Sequence, residues 1–236
     1  MTDGLLPFIV PVDDPVALAA REGSLGALAD AVRRLIDVSV RTEVDDAELD
    51  RVAAGIGELA DRLEAEASAT PLGLVVSSDG RLRDHGNPAV GLRNPMAPPL
   101  RIARGEDGSA QCTITLGAPY EGPPGHVHGG VVALVLDQVL GTVPPLVGKP
   151  GMTAYLNVTY RRPTPLGAAL TVSAEPVEVG EWKVLVRGDI RTADGEITAE
   201  AEGLFVVPRT ARHRGAAPQS DAGDFDSEHF GGRAGH

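Results

Sequence analysis

The run Tyr120-Glu121-Gly122-Pro123-Pro124-Gly125-His126-Val127-His128-Gly129-Gly130 leads straight into an apolar stretch that carries a single charge, Asp137. Glycines at the start of that stretch leave the backbone bare, so a ligand can approach it closely. If the stretch is a helix, its first-turn N–H groups have no partners within it. Together with the positive end of the helix dipole they can hold a developing oxyanion. A carboxylate enclosed by apolar neighbours is costly unless paired or used, which makes Asp137 a candidate base or nucleophile. The structural alternative for Asp137 is a hydrogen bond to a neighbouring strand or across a subunit interface. Gly129 and Asp137 stand eight residues apart, about 12 Å along a helix axis, too far to act on one carbonyl within one chain. Joint action therefore requires two copies, with antiparallel central helices setting Gly129 of one beside Asp137 of the other.

Other chemistry is less well supported. His126 and His128 could start a metal site, but no third ligand follows at zinc-like spacing, so no metal is expected. Cys112 is the only cysteine, which excludes an internal disulfide or cysteine cluster. It fits a strand core in a reducing, cytoplasmic setting. A net charge of −12 and 3% aromatic residues argue against a nucleic-acid partner, which needs a basic face or stacking platform. The first fourteen residues hold no basic region ahead of an apolar run, so no secretory signal is expected. Gly129 to Val147 is the one stretch resembling a membrane span, yet Asp137 and Gln138 sit at its centre and Pro144-Pro145 near its end. A charge at bilayer mid-depth costs about 2.5–3.5 kcal/mol, so this stretch reads as a buried helix of a soluble protein.

The elements that must position these groups follow from patterning. Residues 1–70 hold 15 acidic and 6 basic residues, against 14 and 11 in 71–208 and 4 and 4 in 209–236. That split marks an acidic helical N-terminal extension (1–70), a nearly neutral core and a tail. Richness in Gly, Pro and Asn makes 71–99 an irregular linker ahead of the folded domain (100–208), and loss of periodicity makes 209–236 a disordered tail. In the extension, Leu25, Leu28, Ala29, Val32, Leu35 and Ile36 recur at helical spacing, with Ser24 as N-cap. A second series, Leu49, Val52, Ala53, Ile56, Leu59 and Leu63, follows a capping-box pair, Asp45 and Glu48. Both stripes should lie on the core, a subunit or a partner. Strands are expected at Leu100–Arg104, Ala110–Leu116, Thr153–Tyr160, Leu170–Val179, Trp182–Ile190 and Ile197–Val207, with turns at Glu106-Asp107-Gly108, Val179-Gly180-Glu181 and Ala193-Asp194-Gly195. Ala154, Leu156, Val158 and Tyr160 should share one face. The helix from Gly129 to Val143 is apolar all round, so it should be wrapped on every side. An α+β fold follows, with a curved antiparallel sheet of about six strands around that helix.

Glu121-Gly-Pro-Pro-Gly-His-Val-His128-Gly129-Gly130, Asp137 nine residues after His128, Gly141, and Met152-Thr153-Ala154-Tyr155-Leu156-Asn157-Val158-Thr159-Tyr160-Arg161-Arg162-Pro163 resemble the PaaI-type hotdog-fold thioesterases, close to the thioesterase superfamily member 4 group. The resemblance covers about residues 95–208. It implies a hotdog fold and hydrolysis of an acyl-CoA thioester in a homodimer or tetramer, without metal or redox cofactor, CoA entering only as part of the substrate. It implies that Asp137 is the general base or nucleophile, that the Gly129 N–H polarises the carbonyl, that Thr153 helps place the water or carboxylate, and that His128 orients the site. Gly130, Val131, Asn157, Arg161 and Arg162 are candidate substrate contacts, the two arginines for CoA phosphates. Thr153 as an ordinary strand residue and Arg161 and Arg162 as solvated strand-end charges stay open, and Glu121 reads as a loop acceptor. Some relatives carry an asparagine six residues before the motif histidine, where this chain has Gly122. Leu134, Val135, Leu136, Val139 and Leu140 fit a medium or long aliphatic acyl chain, but a buried helix needs such residues in any case, so the acyl group stays open. The alternative function is a non-catalytic acyl-CoA or acyl-carrier binding and sensing protein. A hydratase ranks below it, because the Asp–His pattern of those relatives is absent.

Overall fold

The computed structural model describes residues 9–12, 14–70, 72, 74–77 and 82–212. After β1 (Ile9–Val12) come two helices, α1 (Pro15–Arg41) and α2 (Asp46–Glu64). α1 begins well before Ser24, the expected cap. Asp14 Oδ1 accepts the N–H groups of Val16 and Ala17 at 2.9 and 3.2 Å, and Pro15 stands in the first turn. An acceptor at the N-cap followed by a residue with helical φ already set is the stronger start signal. Ser24 lies inside the helix, its hydroxyl turned back to the Ala20 carbonyl. α2 starts where expected, Asp45 Oδ1 accepting the Glu48 N–H at 2.8 Å.

β2 (Leu74–Ser77) runs parallel to β1 and antiparallel to β3 (Leu82–Arg83), a small sheet that periodicity does not reveal. β2 and β3 fall within the expected irregular linker, 71–99, and correct it there. Residues 84–99 are irregular as expected, but they are packed. Ala89 and Ala97 are fully buried. Irregular backbone can be buried only if its polar groups find partners. Here Arg33 of α1 donates to the Ala97 and Asn94 carbonyls at 3.0 and 3.2 Å, and His85 Nε2 lies 2.9 Å from Glu22 Oε1. α1 and this segment thus pack as one layer.

The main sheet comprises β4 (Ala103–Arg104), β5 (Ala110–Thr115), β6 (Met152–Tyr160), β7 (Ala169–Val179), β8 (Lys183–Thr192) and β9 (Ile197–Val206), antiparallel in the order β4-β5-β7-β8-β9-β6. α3 (Gly129–Leu146) lies in its curve. The helix buries Val132, Val135, Leu136, Val139, Leu140 and Val143, the i, i+3, i+4, i+7 face, against inward residues such as Cys112, Val172, Val186 and Phe205. Gly188 of β8 lets this contact form, since a Cβ there would stand 2.4 Å from the Ser173 carbonyl oxygen and 2.6 Å from Leu140 Cδ1. Wrapping on every side is not observed in the single chain. Val131, Ala133, Leu134, Asp137, Gln138 and Gly141, on the side away from the sheet, are only half-buried, because one curved sheet covers one side of a helix. After β9, the expected disorder does not begin at once. Arg209–Arg212 forms a helical turn, α4, with the Arg212 guanidinium 5.4 Å from the Trp182 ring centroid and its Nε donating to the Val207 carbonyl at 2.8 Å. The rest of the expected tail, 213–236, lies outside the described residues.

Candidate active site

The loop before α3 is built to present one helix terminus. Main-chain bonds from Gly122 N to His126 O, Val127 N to Thr164 O and His128 N to Tyr120 O, each 2.9 Å, close it upon itself. Glu121 Oε1 accepts the Gly125 N–H at 2.7 Å, the acceptor role expected of it. His126 Nδ1 is held 2.9 Å from the Pro124 carbonyl. His128 is then the N-cap of α3, with φ −60° and ψ 135°. Its Nδ1 accepts the Gly130 N–H at 3.0 Å, which puts the ring proton on Nε2, and its carbonyl takes the N–H groups of Val131 and Val132 at 2.9 and 3.1 Å. The N–H of Gly129 has no hydrogen bond among the described residues. Four first-turn donors thus reduce to one open donor at the positive end of the helix. Gly122 is also a close-approach position, because a Cβ there would lie 2.7 Å from His128 Cα. An asparagine cannot replace it without moving the cap.

Two turns along, Asp137 Oδ1 accepts the Thr153 hydroxyl at 3.0 Å. At the other end of β6, the Tyr160 hydroxyl donates to the Gly129 carbonyl at 2.9 Å. Thr153 and Tyr160 are seven residues apart, and in a regular strand they would face opposite sides. A bulge between Thr153 and Tyr155 inserts Ala154 and changes the parity. This corrects the expected face: Leu156, Val158 and Tyr160 share it, Ala154 is the extra residue, and Thr153 joins them. β6 is thereby pinned to α3 at both ends of the interval from Gly129 to Asp137.

The remaining candidates separate. Asn157 and Arg161 line a cleft of about 890 Å³ on the outer face of the sheet, with Ser173, Arg187 and Glu202. That face is opposite to Asp137, because past the bulge the odd-numbered residues of β6 point outward. Arg161 Nε donates to Glu200 at 2.7 Å and Arg162 to Glu196, so each expected phosphate contact is an exposed ion pair here. Val131 is half-buried against the core, and the Gly130 N–H is used by the cap. Cys112 is buried as expected, and burial pushes its thiol up to about 11. Two contributors escaped the sequence reading. Tyr160 carried no signal beyond its place on the helix-facing side. Asn87, in a stretch without periodicity, reaches Gln138 beside Asp137, its Nδ2 donating to Oε1 at 2.9 Å.

Comparison with known proteins identifies the family and the fold. Residues 124–199 match the Thioesterase superfamily. A crystal structure of a thioesterase superfamily protein is 44% identical, with TM-score 0.70, over 77% of this chain and 90% of that one. Such coverage exceeds the 100–208 domain and takes in part of the N-terminal region. Acyl-coenzyme A thioesterase THEM4 of Bos taurus is 31% identical over 107 residues, 44% of each chain. THEM4 of Mus musculus is 35% identical over 91 residues, 38% of this chain and 39% of that one. The chain thus spans less than half the length of these curated relatives. The six-stranded sheet cradling one helix, the capped Gly-Gly terminus and the extended match to a solved member make one conclusion: this chain belongs to the thioesterase superfamily, with its hotdog fold.

Proposed function

We propose that this chain hydrolyses acyl-CoA thioesters as a homodimer, with Asp137 as general base or nucleophile and the Gly129 N–H of the other copy as oxyanion donor. The observation that carries this reading is the pairing of one open amide at the start of α3 with one half-buried carboxylate two turns later. The interval of about 12 Å between them calls for a second copy, and the molecule has a surface for one. β6 is an edge strand bonded only to β9, exposing Met152, Tyr155 and Tyr160, and the Asp137 side of α3 is half open. An unprotected nine-residue edge is a natural seat for another copy.

On this reading the thioester carbonyl lies against the Gly129 N–H. In the general-base route, Asp137 takes a proton from water as its oxygen adds to the carbonyl carbon. The tetrahedral oxyanion collapses, the C–S bond breaks, and the proton passes to the leaving thiolate, giving free acid and CoA. In the nucleophilic route, Asp137 itself adds, CoA thiolate leaves, and water hydrolyses the mixed anhydride. Thr153 holds the carboxylate in one orientation, and His128 removes the competing Gly130 donor while fixing the terminus. After single turnover in H₂¹⁸O, label in Asp137 identifies the anhydride opened by water at Cγ; trapping the acyl-enzyme with hydroxylamine identifies it when water adds at the acyl carbon.

A CoA-ester panel read by released thiol tests the activity, and Gly129→Pro tests the donor. Proline is tolerated at the first helical position and deletes that N–H alone. The expected loss is about 10²–10³-fold in kcat. Mixing inactive Asp137→Asn and Gly129→Pro chains should restore about a quarter of wild-type activity after random exchange in a symmetric dimer. No recovery despite exchange would remove the two-chain site. Binding of CoA esters without thiol release would favour the sensing alternative.

A further inference from the structure

α2 is a nineteen-residue helix with no buried residue. Leu49, Val52, Ile56, Leu59 and Leu63 follow at intervals of three, four, three and four, each 38–56% exposed. That spacing is a two-heptad seam of the kind that packs against another helix. A helix gains most of its stability from burying such a stripe, and the chain's own core leaves it open. We propose that α2 pairs with α2 of a second copy, antiparallel, about a two-fold axis passing beside Ala53 and Gly55.

Charge and size select this occupant. Glu48 and Arg62 stand fourteen residues apart on the same edge of the seam. Antiparallel pairing sets Glu48 of each copy against Arg62 of the other, whereas parallel pairing sets Glu48 against Ala53. Glu48 contacts Arg51 through Oε2 alone, which leaves its second oxygen for the partner. At the midpoint the seam is flanked by Ala53 and Gly55, each of which meets its own counterpart across the axis. A mid-helix glycine costs about 1 kcal/mol relative to alanine. Among the described residues nothing outside the helix backbone lies within 4 Å of a Cβ built on Gly55, so packing among them does not account for it; close helix approach does. Gly57 faces away from the seam and is not explained by the pair. The six acidic residues of α2 against two arginines disfavour an anionic lipid surface as the occupant.

The test uses the full chain with single cysteines in α2 and a short bis-maleimide, Cys112 being buried. Ala53→Cys should give about tenfold more covalent dimer than Ala54→Cys, because only the former faces its counterpart at high effective concentration. Adding Leu59→Asp to Ala53→Cys should abolish the cross-link with the far-UV CD spectrum unchanged. Equal cross-linking at 53 and 54, or a cross-link that survives Leu59→Asp, would overturn the proposal. Neither result depends on thioester hydrolysis, so the proposed activity stands or falls separately.

Discussion

α2 and α3 are both helices with marked apolar character, yet one buries nothing and the other buries a full face. α3 is held because the sheet curves around it, Gly188 admits Leu140, and Thr153 and Tyr160 tie β6 to its polar positions. α2 has a cap and a stripe but, among the described residues, no surface that buries it. The difference shows where one chain's folding energy ends. The inner half of α3 is accounted for within the molecule, while its outer half is only half-buried, the β6 edge is bonded on one side alone, and α2 has no buried residue. The proposed second copy would meet these surfaces.

The comparison predicts a graded series. Leu140→Ala, at the centre of the cradled face, should cost about 2–5 kcal/mol of unfolding free energy in urea, through lost transfer energy and a cavity. Gly188→Ala should cost about 1–3 kcal/mol, because its methyl would meet Ser173 and Leu140 and force the strand and helix apart. Thr153→Val should leave stability nearly unchanged while lowering kcat about tenfold, the worth of one hydrogen bond to a charged group. An equal loss in melting temperature would make Thr153 a packing residue instead. Leu59→Ala should change stability by less than about 0.5 kcal/mol at high dilution; a larger loss that persists on dilution would show that α2 packs within its own chain. Cys112, with its thiol pushed up to about 11, stays protonated at pH 8, so native protein should leave a thiol reagent unreacted until unfolded.

Much of this was readable from residue order. The strands and α3 follow from alternation and apolar runs, and α2 from its capping box, because these signals are local. Asp137 is legible as a charge that is costly in an apolar stretch unless paired or used, and Gly129-Gly130 as residues that leave a helix start bare. The remainder depends on tertiary contacts. The start of α1 went to Asp14-Pro15 over Ser24. The bulge at Ala154, which turns Thr153 towards Asp137, leaves no mark in alternation. Asn157 and Arg161 are candidate substrate contacts by residue type, and strand parity beyond the bulge, which residue type does not encode, sets both on the outer face away from Asp137. The packed segment 84–99 was hidden because arginine and amide side chains satisfy an irregular backbone without any periodic signal.

The most direct measurement is turnover of a CoA-ester panel by purified Asp137→Asn, with melting temperature and oligomeric state recorded beside it. With Asp137 as base or nucleophile, thiol release should fall by at least about three orders of magnitude, with fold and assembly retained. Wild-type turnover in a folded Asp137→Asn protein would contradict that role.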